Sequence, residues 1–143
     1  PVDYPWIKNR PAEVEYSIAL MERINESALL RYKVIFDPAG DDVNDWLSLV
    51  GYILSPSDFE SFHMAVGEGM LTGTTPIIWD WEGAGEIWPA RYVFSNTDAA
   101  AQYIVEHSDD HFDAMESHRQ WVLRNYSKEK VASEWLKIFG RIR

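Results

Sequence analysis

Residues 51–79 decide the fold, and their sequence is GYILSPSDFESFHMAVGEGMLTGTTPIIW. A short apolar run at 51–54 precedes a loop, Ser55-Pro56-Ser57-Asp58. A stretch of helical periodicity follows from Ser61 to about Leu71, with Gly73 as its stop, and a second apolar run begins at Pro76. Short apolar runs joined by a helix are typical of parallel strands that are covered on both faces. The segment therefore predicts one β–α–β unit.

The same alternation continues on both sides of this unit. Apolar runs predict further strands at Tyr32–Phe36 and Tyr92–Phe94. Helical periodicity and capping residues predict the remaining helices, which cover about 11–24, 43–49, 99–106, 109–124 and 127–139. The predicted fold class is α/β, a Rossmann-like parallel sheet flanked by helices. Ligands of such sheets bind beyond the carboxyl ends of the strands.

Composition sets the class of protein and limits its partners. The 143 residues suit one domain, spanning 1–143. With 13 basic and 23 acidic residues, the formal net charge is −10. A nucleic-acid binder needs a dense positive field, so nucleic acid and an anionic membrane are poor partners on charge alone. The chain has no cysteine, which fits a reducing compartment, and no apolar run approaches the roughly 20 residues of a transmembrane helix.

The predicted helix that follows the 55–60 loop carries the chemistry. A helix amino terminus offers free backbone amides and the positive end of the helix dipole, both of which favour phosphate. We therefore expect the amides of Ser61, Phe62 and His63 to hold a diphosphate. Glu68 lies about 10 Å further along the axis at roughly 1.5 Å per residue, within reach of a ribose attached to that diphosphate. Glu60, ahead of the helix, would face the group on the far phosphate, which is the sugar of a nucleotide-sugar.

One face of this helix is apolar and should bury against the sheet. Its members are Phe62, Ala65, Val66, Gly69 and Met70.

Several segments together resemble the donor-binding, C-terminal domain of retaining GT-B glycosyltransferases, especially the large family four. Seven residues separate Glu60 from Glu68, as in that family's Glu–seven residues–Glu motif. The downstream sequences GTTPII at 73–78 and EGAGEI at 82–87 are similar to the continuation of the motif. The two C-terminal helices, with Trp135 in the second, are similar as well. The resemblance covers roughly Val34 to Phe139.

The resemblance implies a role for each matched position. Glu60 would contact the sugar and is the catalytic candidate, either as nucleophile or as a positioning group. The backbone of Ser61, Phe62 and His63 would hold the diphosphate, and Glu68 would bind ribose. Ser57, in the preceding loop, is either a substrate-binding residue or a turn residue.

It also implies the setting of the protein. The glycosyl group would pass from a nucleotide-diphosphate sugar to a glycan or glycolipid acceptor with retention, in polysaccharide or glycolipid assembly. Neither a cofactor nor a metal is expected. The N-terminal acceptor domain is expected to be absent from this chain, and the enzyme to be cytoplasmic, peripheral at the membrane through that domain.

Three departures from the family pattern concern the phosphate site. His63 stands where the family often has glycine, and Gly69 stands where alanine is usual. The family's early Gly-Arg loop and its Arg/Lys pair for the diphosphate would precede Pro1. We therefore expect the chain alone to bind donor weakly and to catalyse little.

Other interpretations remain open at the sequence level. A GT-B sugar-nucleotide epimerase or a glycan phosphorylase would share the sheet and the phosphate site. A non-catalytic α/β interaction module of the receiver type would use Asp37, at the end of the first predicted strand. Glu60 and Glu68 could also be solvated carboxylates on a surface helix. Trp79 and Trp81 follow a predicted strand at the ligand edge, where one of them could line the acceptor cleft.

Overall fold

The computed structural model describes residues 10–38, 40–108 and 111–140, with the backbone alone for 111–113. The chain divides into two compact units, Pro1–Gly40 and Asp41–Arg143.

The first unit contains one helix, α1, Pro11–Glu26, within its described residues. Proline suits the first helical turn because its missing N–H would have no partner there. Arg10 and Glu13 add an ion pair of 2.7 Å at this end. The predicted helix at 11–24 is confirmed.

The strand predicted at Tyr32–Phe36 is wrong. Residues 28–33 form turns, with the amides of Lys33 and Val34 both donating to the Leu30 carbonyl at 2.9 and 3.1 Å. Residues 34–38 have no regular structure, and the side chain of Ile35 is exposed. An apolar, β-branched run becomes a strand only where a neighbouring strand accepts its hydrogen bonds. Within the described residues this run pairs with none.

The second unit alternates helices and strands. Its strands are β1, Tyr52–Ser55; β2, Thr75–Trp79; and β3, Val93–Phe94. Its helices are α2, Val43–Ser48; α3, Met64–Thr72; α4, Ala84–Ile87; α5, Thr97–Glu106; α6, His111–Tyr126; and α7, Lys128–Gly140, with a short 3-10 turn at Ala90–Tyr92. Apart from the start of α3, the three strands and helices α2, α5, α6 and α7 follow the predicted elements to within a few residues. Residues 109 and 110, where the helix at 109–124 was predicted to begin, lie outside the described residues.

The three strands form one parallel sheet in the order β1-β2-β3. Ile53 lies opposite Pro76, and Ile78 lies opposite Val93. Each strand therefore lies beside the next one in the chain, and the connections cross over through helices. The architecture is α/β with helices around a parallel sheet, compatible with a Rossmann-like fold.

Helices lie on both faces of the sheet. A β-carbon built on Gly69 of α3 would lie 3.1 Å from the side chain of Ile53. The hydroxyl of the neighbouring Tyr52 donates instead to the carbonyl of His107, at the end of α5, at 2.9 Å. Because adjacent residues of a strand point to opposite faces, α3 and α5 cover opposite sides of β1.

The core lies between α3, β2, the α4 region and α6. Aromatic rings from distant parts of the sequence meet there, with Trp88 packing against Trp121 and Phe62. Its buried members are Val66, Met70, Ile78, Trp81, Ala84, Trp88 and Val122.

Local signals explain the helix ends that were predicted. Gly73, with φ of 100°, follows α3, and the Thr74 amide donates back to the Gly69 carbonyl at 2.9 Å. This is the usual way in which a left-handed glycine stops a helix. Asn96 caps α5 by accepting the Ala99 amide at 2.9 Å. None of the helices within the described residues has the length and apolar character needed to cross a membrane.

Candidate functional site

The candidate site lies at the carboxyl edge of the sheet. There β1 ends at Ser55, and the 56–63 loop connects it to α3. The loop that follows β2 begins at the same edge, because parallel strands all end on one side. The candidate residues of the loop therefore follow a strand at the edge where ligands of α/β sheets bind; they are Ser57, Glu60, Ser61, Phe62 and His63.

Glu60 is held in place by its neighbours in this loop. The Ser57 hydroxyl donates to Glu60 Oε1 at 2.9 Å. The same oxygen lies 3.8 Å from His63 Nδ1. About a quarter of the Glu60 side chain is exposed (26%). Both contacts use Oε1, and in the described part of the chain Oε2 has no hydrogen-bond partner, so one carboxylate oxygen is free to accept a ligand hydroxyl.

His63 has an unusual backbone and a buried partner. Its φ is 55°, and it is the only residue other than glycine with positive φ among those described. Its Nδ1 lies 2.5 Å from the Ser55 hydroxyl oxygen. Ser55 is fully buried, so the imidazole satisfies a polar atom that water does not reach.

Serine, histidine and glutamate thus meet at one point, but they do not form a hydrolase triad. In a triad the histidine uses one ring nitrogen for serine and the other for the carboxylate. Here Ser55 and Glu60 both lie nearest to Nδ1 of His63. The hydroxyl of Ser55 is also buried, and a nucleophile must be open to substrate. The arrangement positions side chains and offers no activated serine.

The helix start predicted at Ser61 is wrong, since α3 begins at Met64 with His63 as its N-cap residue. Phe62 is drawn into the aromatic core, with its ring centroid 4.9 Å from that of Trp88 and 4.7 Å from that of Tyr126. The left-handed backbone of His63, with φ of 55°, is incompatible with an α-helix at that residue, so the helix starts after it. The first helical amides are consequently those of Met64 and Ala65, and the expected phosphate-binding residues Ser61, Phe62 and His63 lie in the loop just ahead of them.

Glu68 lies closer to the helix start than the sequence predicted. It is four residues from Met64, about 6 Å along the axis at roughly 1.5 Å per residue. The buried residues of α3 are Val66, Gly67, Gly69 and Met70. At about 100° per residue, Glu68 lies on the opposite face, and its side chain is exposed. Ala65, predicted on the apolar face, is exposed as well.

The aromatic residues around the loop have structural roles. Tyr126 donates its hydroxyl to the Ile87 carbonyl at 2.5 Å, and burial raises the pKa of Tyr126, which keeps the hydroxyl protonated as a donor. Trp81, proposed as one of two residues that could line a cleft, belongs to the buried core. Trp79 is only partly buried.

The contact between Ser55 and His63 was missed at the sequence level. A serine at the last position of a buried strand is one signal for it, because a buried hydroxyl needs a partner. The other is a non-glycine residue where a glycine is usual, since such positions often have positive φ.

Two further observations bear on the alternative interpretations. Asp37, required by the receiver interpretation, is exposed and follows no strand among the described residues. Within those residues, no group of three His, Asp or Glu side chains is placed to hold a metal ion.

In comparisons with known proteins, no family model, no curated protein and no solved structure matches the chain.

Proposed function

We propose that this chain is the donor-binding domain of a retaining GT-B-type glycosyltransferase that uses a nucleotide-diphosphate sugar. The observation that carries the proposal is the placement of Glu60 at the carboxyl edge of a parallel sheet, immediately before α3. Its carboxylate is fixed through one oxygen and free at the other, within the described residues. That is the arrangement that a group contacting sugar hydroxyls requires.

The start of α3 suits the diphosphate. The amides of Met64 and Ala65 have no acceptor within the helix, and the helix dipole adds positive potential at this end. The chain itself is acidic, with net charge −10, so its basic side chains contribute little to a general attraction for phosphate. We therefore expect donor binding by this chain alone to be weak.

Glu68 sets where the ribose would lie. Because its carboxylate is on the solvent face of α3, the nucleoside would lie along the outside of the helix and not between helix and sheet. Glu60 and Glu68 then mark the two ends of the ligand, sugar and ribose, with the diphosphate between them.

The backbone at His63 gives separate support. The resembled family often has glycine at this position, and glycine is the residue that adopts positive φ at no steric cost. His63 has φ of 55°. A local backbone geometry that favours glycine therefore coincides with a glycine position of the family, even though the side chain differs.

The test is titration with nucleoside diphosphates, followed by NMR. We expect UDP or GDP to shift the amide signals of residues 57–68. Glu68→Ala should weaken binding at least about tenfold, since a hydrogen bond to a charged group contributes about 1.5–3 kcal/mol.

Glu129→Ala is the control, because Glu129 is an exposed carboxylate in the first turn of α7. It removes the same charge and should leave the affinity unchanged. Signals in 57–68 that do not move at millimolar nucleotide, or equal losses in the two variants, would exclude the proposed donor site.

A further inference from the structure

His63 adopts a backbone conformation that is unfavourable for residues other than glycine. For residues other than glycine, the left-handed region costs about 1–2 kcal/mol. Glycine would adopt φ of 55° without that cost. Residues held in such conformations persist where the surroundings determine them, and they cluster at functional sites. The side chain of His63 must therefore make contacts that offset the backbone strain.

The first of these contacts fixes the imidazole. Nδ1 lies 2.5 Å from Ser55 Oγ, at the fully buried end of β1. Leaving a buried hydroxyl without a partner costs about 1–3 kcal/mol. The ring is thus tied to the end of a strand that pairs over four residues with β2.

The second contact is with Glu60. Its Oε1 lies 3.8 Å from the same nitrogen and accepts the Ser57 hydroxyl at 2.9 Å. Ser57 belongs to the loop, whereas Ser55 belongs to the sheet. The imidazole of His63 therefore contacts both Glu60 and the end of β1, and it sets the position of the Glu60 carboxylate relative to the strand.

We propose that His63 is a positioning residue, which holds the Glu60 carboxylate so that Oε2 faces the sugar of the donor. This inference rests on the proposed function, since it assigns Glu60 to the sugar subsite. His63 need not touch the donor. Its effect on binding passes through Glu60 and concerns the sugar, not the nucleoside diphosphate.

The experiment compares donor with nucleotide in a set of variants. UDP and UDP-glucose form one probe pair, and GDP and GDP-mannose form a second. For the pair that the wild-type chain binds, His63→Gly should weaken binding of the nucleotide-sugar by up to about fivefold, the effect of losing a partly exposed ionic contact of up to about 1 kcal/mol. Binding of the nucleotide alone should fall less, because the backbone amides of residue 63, Met64 and Ala65 all remain.

Glu60→Gln should show the same selective loss. The double variant, with His63→Gly and Glu60→Gln together, should lose no more than either single variant, because the two residues act as one unit. Additive losses, equal losses for nucleotide and nucleotide-sugar, or no loss in His63→Gly would each overturn the proposal.

A second variant serves as a control for misfolding of His63→Gly. His63→Gly leaves the Ser55 hydroxyl unpaired, whereas Ser55→Ala combined with His63→Gly removes both the buried hydroxyl and the strain. The variant with Ser55→Ala and His63→Gly should fold and show the same selective loss of nucleotide-sugar binding.

A structural measurement tests the positioning role of His63 independently of donor binding. Scalar couplings across the Glu60 side chain should indicate one rotamer in the wild-type chain and averaging in the variant that combines Ser55→Ala with His63→Gly. If the wild-type chain binds none of the four probes, the proposed function fails for these donors, and the couplings decide the positioning role alone. Unchanged couplings would overturn it.

Discussion

At the carboxyl edge of the sheet, the 56–63 loop is held by side chains that lie close in sequence: Ser57 with Glu60, and His63 with Ser55. The amino edge of the same β1–α3–β2 unit is held by contacts between distant segments. The hydroxyl of Thr74 bonds to the carbonyls of Leu47 and Val50, both at 3.1 Å. There His118 of α6 contacts the Gly73 carbonyl.

This difference between the two edges indicates that the amino edge contributes to stability and the carboxyl edge to binding. Thr74 and His118 are both almost completely buried, so their hydrogen bonds form only when the whole unit folds. The loop at the carboxyl edge is partly exposed and includes a strained residue. Functional loops are typically carried by a rigid scaffold in this way. Substitutions at the amino edge should therefore change the free energy of unfolding, and those at the carboxyl edge should change binding.

The largest effect is expected from Gly73→Ala at the amino edge. With φ of 100°, an alanine is strained, and its β-carbon would lie 2.9 Å from Met115 Cβ and 2.8 Å from Met115 Cε. Backbone strain and overpacking together should lower the free energy of unfolding by about 3 kcal/mol. Urea denaturation measures this. Gly85→Ala is the control, because nothing lies within 4 Å of the place that its methyl group would take, and it should stay close to wild type.

An intermediate effect is expected from Thr74→Val. Valine keeps the shape of the side chain but removes the hydroxyl that bonds to the carbonyls of Leu47 and Val50. The loss should be about 1–2 kcal/mol in urea denaturation. Thr74→Ser keeps the hydroxyl and should recover part of that loss. A valine variant as stable as wild type would show that the amino edge does not depend on these hydrogen bonds.

The smallest effect on stability is expected from Ser57→Ala at the carboxyl edge. It removes one hydrogen bond to Glu60 in a partly exposed loop. The free energy of unfolding should stay within about 0.5 kcal/mol of wild type. A loss above about 1 kcal/mol would mean that the loop contributes to the global fold, and the contrast between the two edges would not hold.

The β1–α3–β2 unit was predictable because its signals are local. Apolar runs mark the strands, and Gly73 marks the end of the helix. The start of α3 was not predictable in the same way. Ser61 is a good capping residue by type, but Phe62 packs against Trp88 and Tyr126, which are far away in the sequence. His63 then adopts a left-handed backbone, and the helix starts only at Met64.

The rest of the site shows the same division. The positions of Glu60 and Ser57 in a loop after a strand follow from the sequence pattern. The contact between His63 and Ser55 depends on a positive φ, which only a few per cent of residues other than glycine adopt, so the residue type alone did not predict it. At Tyr32–Phe36 the error is the opposite one, since the residue types favoured a strand that does not form. A strand needs a neighbouring strand to pair with, and the local sequence does not show whether there is one.

The aromatic packing of Phe62 has an optical consequence. Trp88, against which Phe62 lies, is 2% exposed, and its indole N–H has no hydrogen-bond partner among the described residues. An indole in such dry surroundings emits at shorter wavelength than the exposed indoles of Trp46 and Trp135. Movement of the loop that displaces Phe62 would admit water to Trp88 and shift its emission to the red. The contribution of Trp88, one of seven tryptophans, to the intrinsic fluorescence therefore reports on the loop without any label.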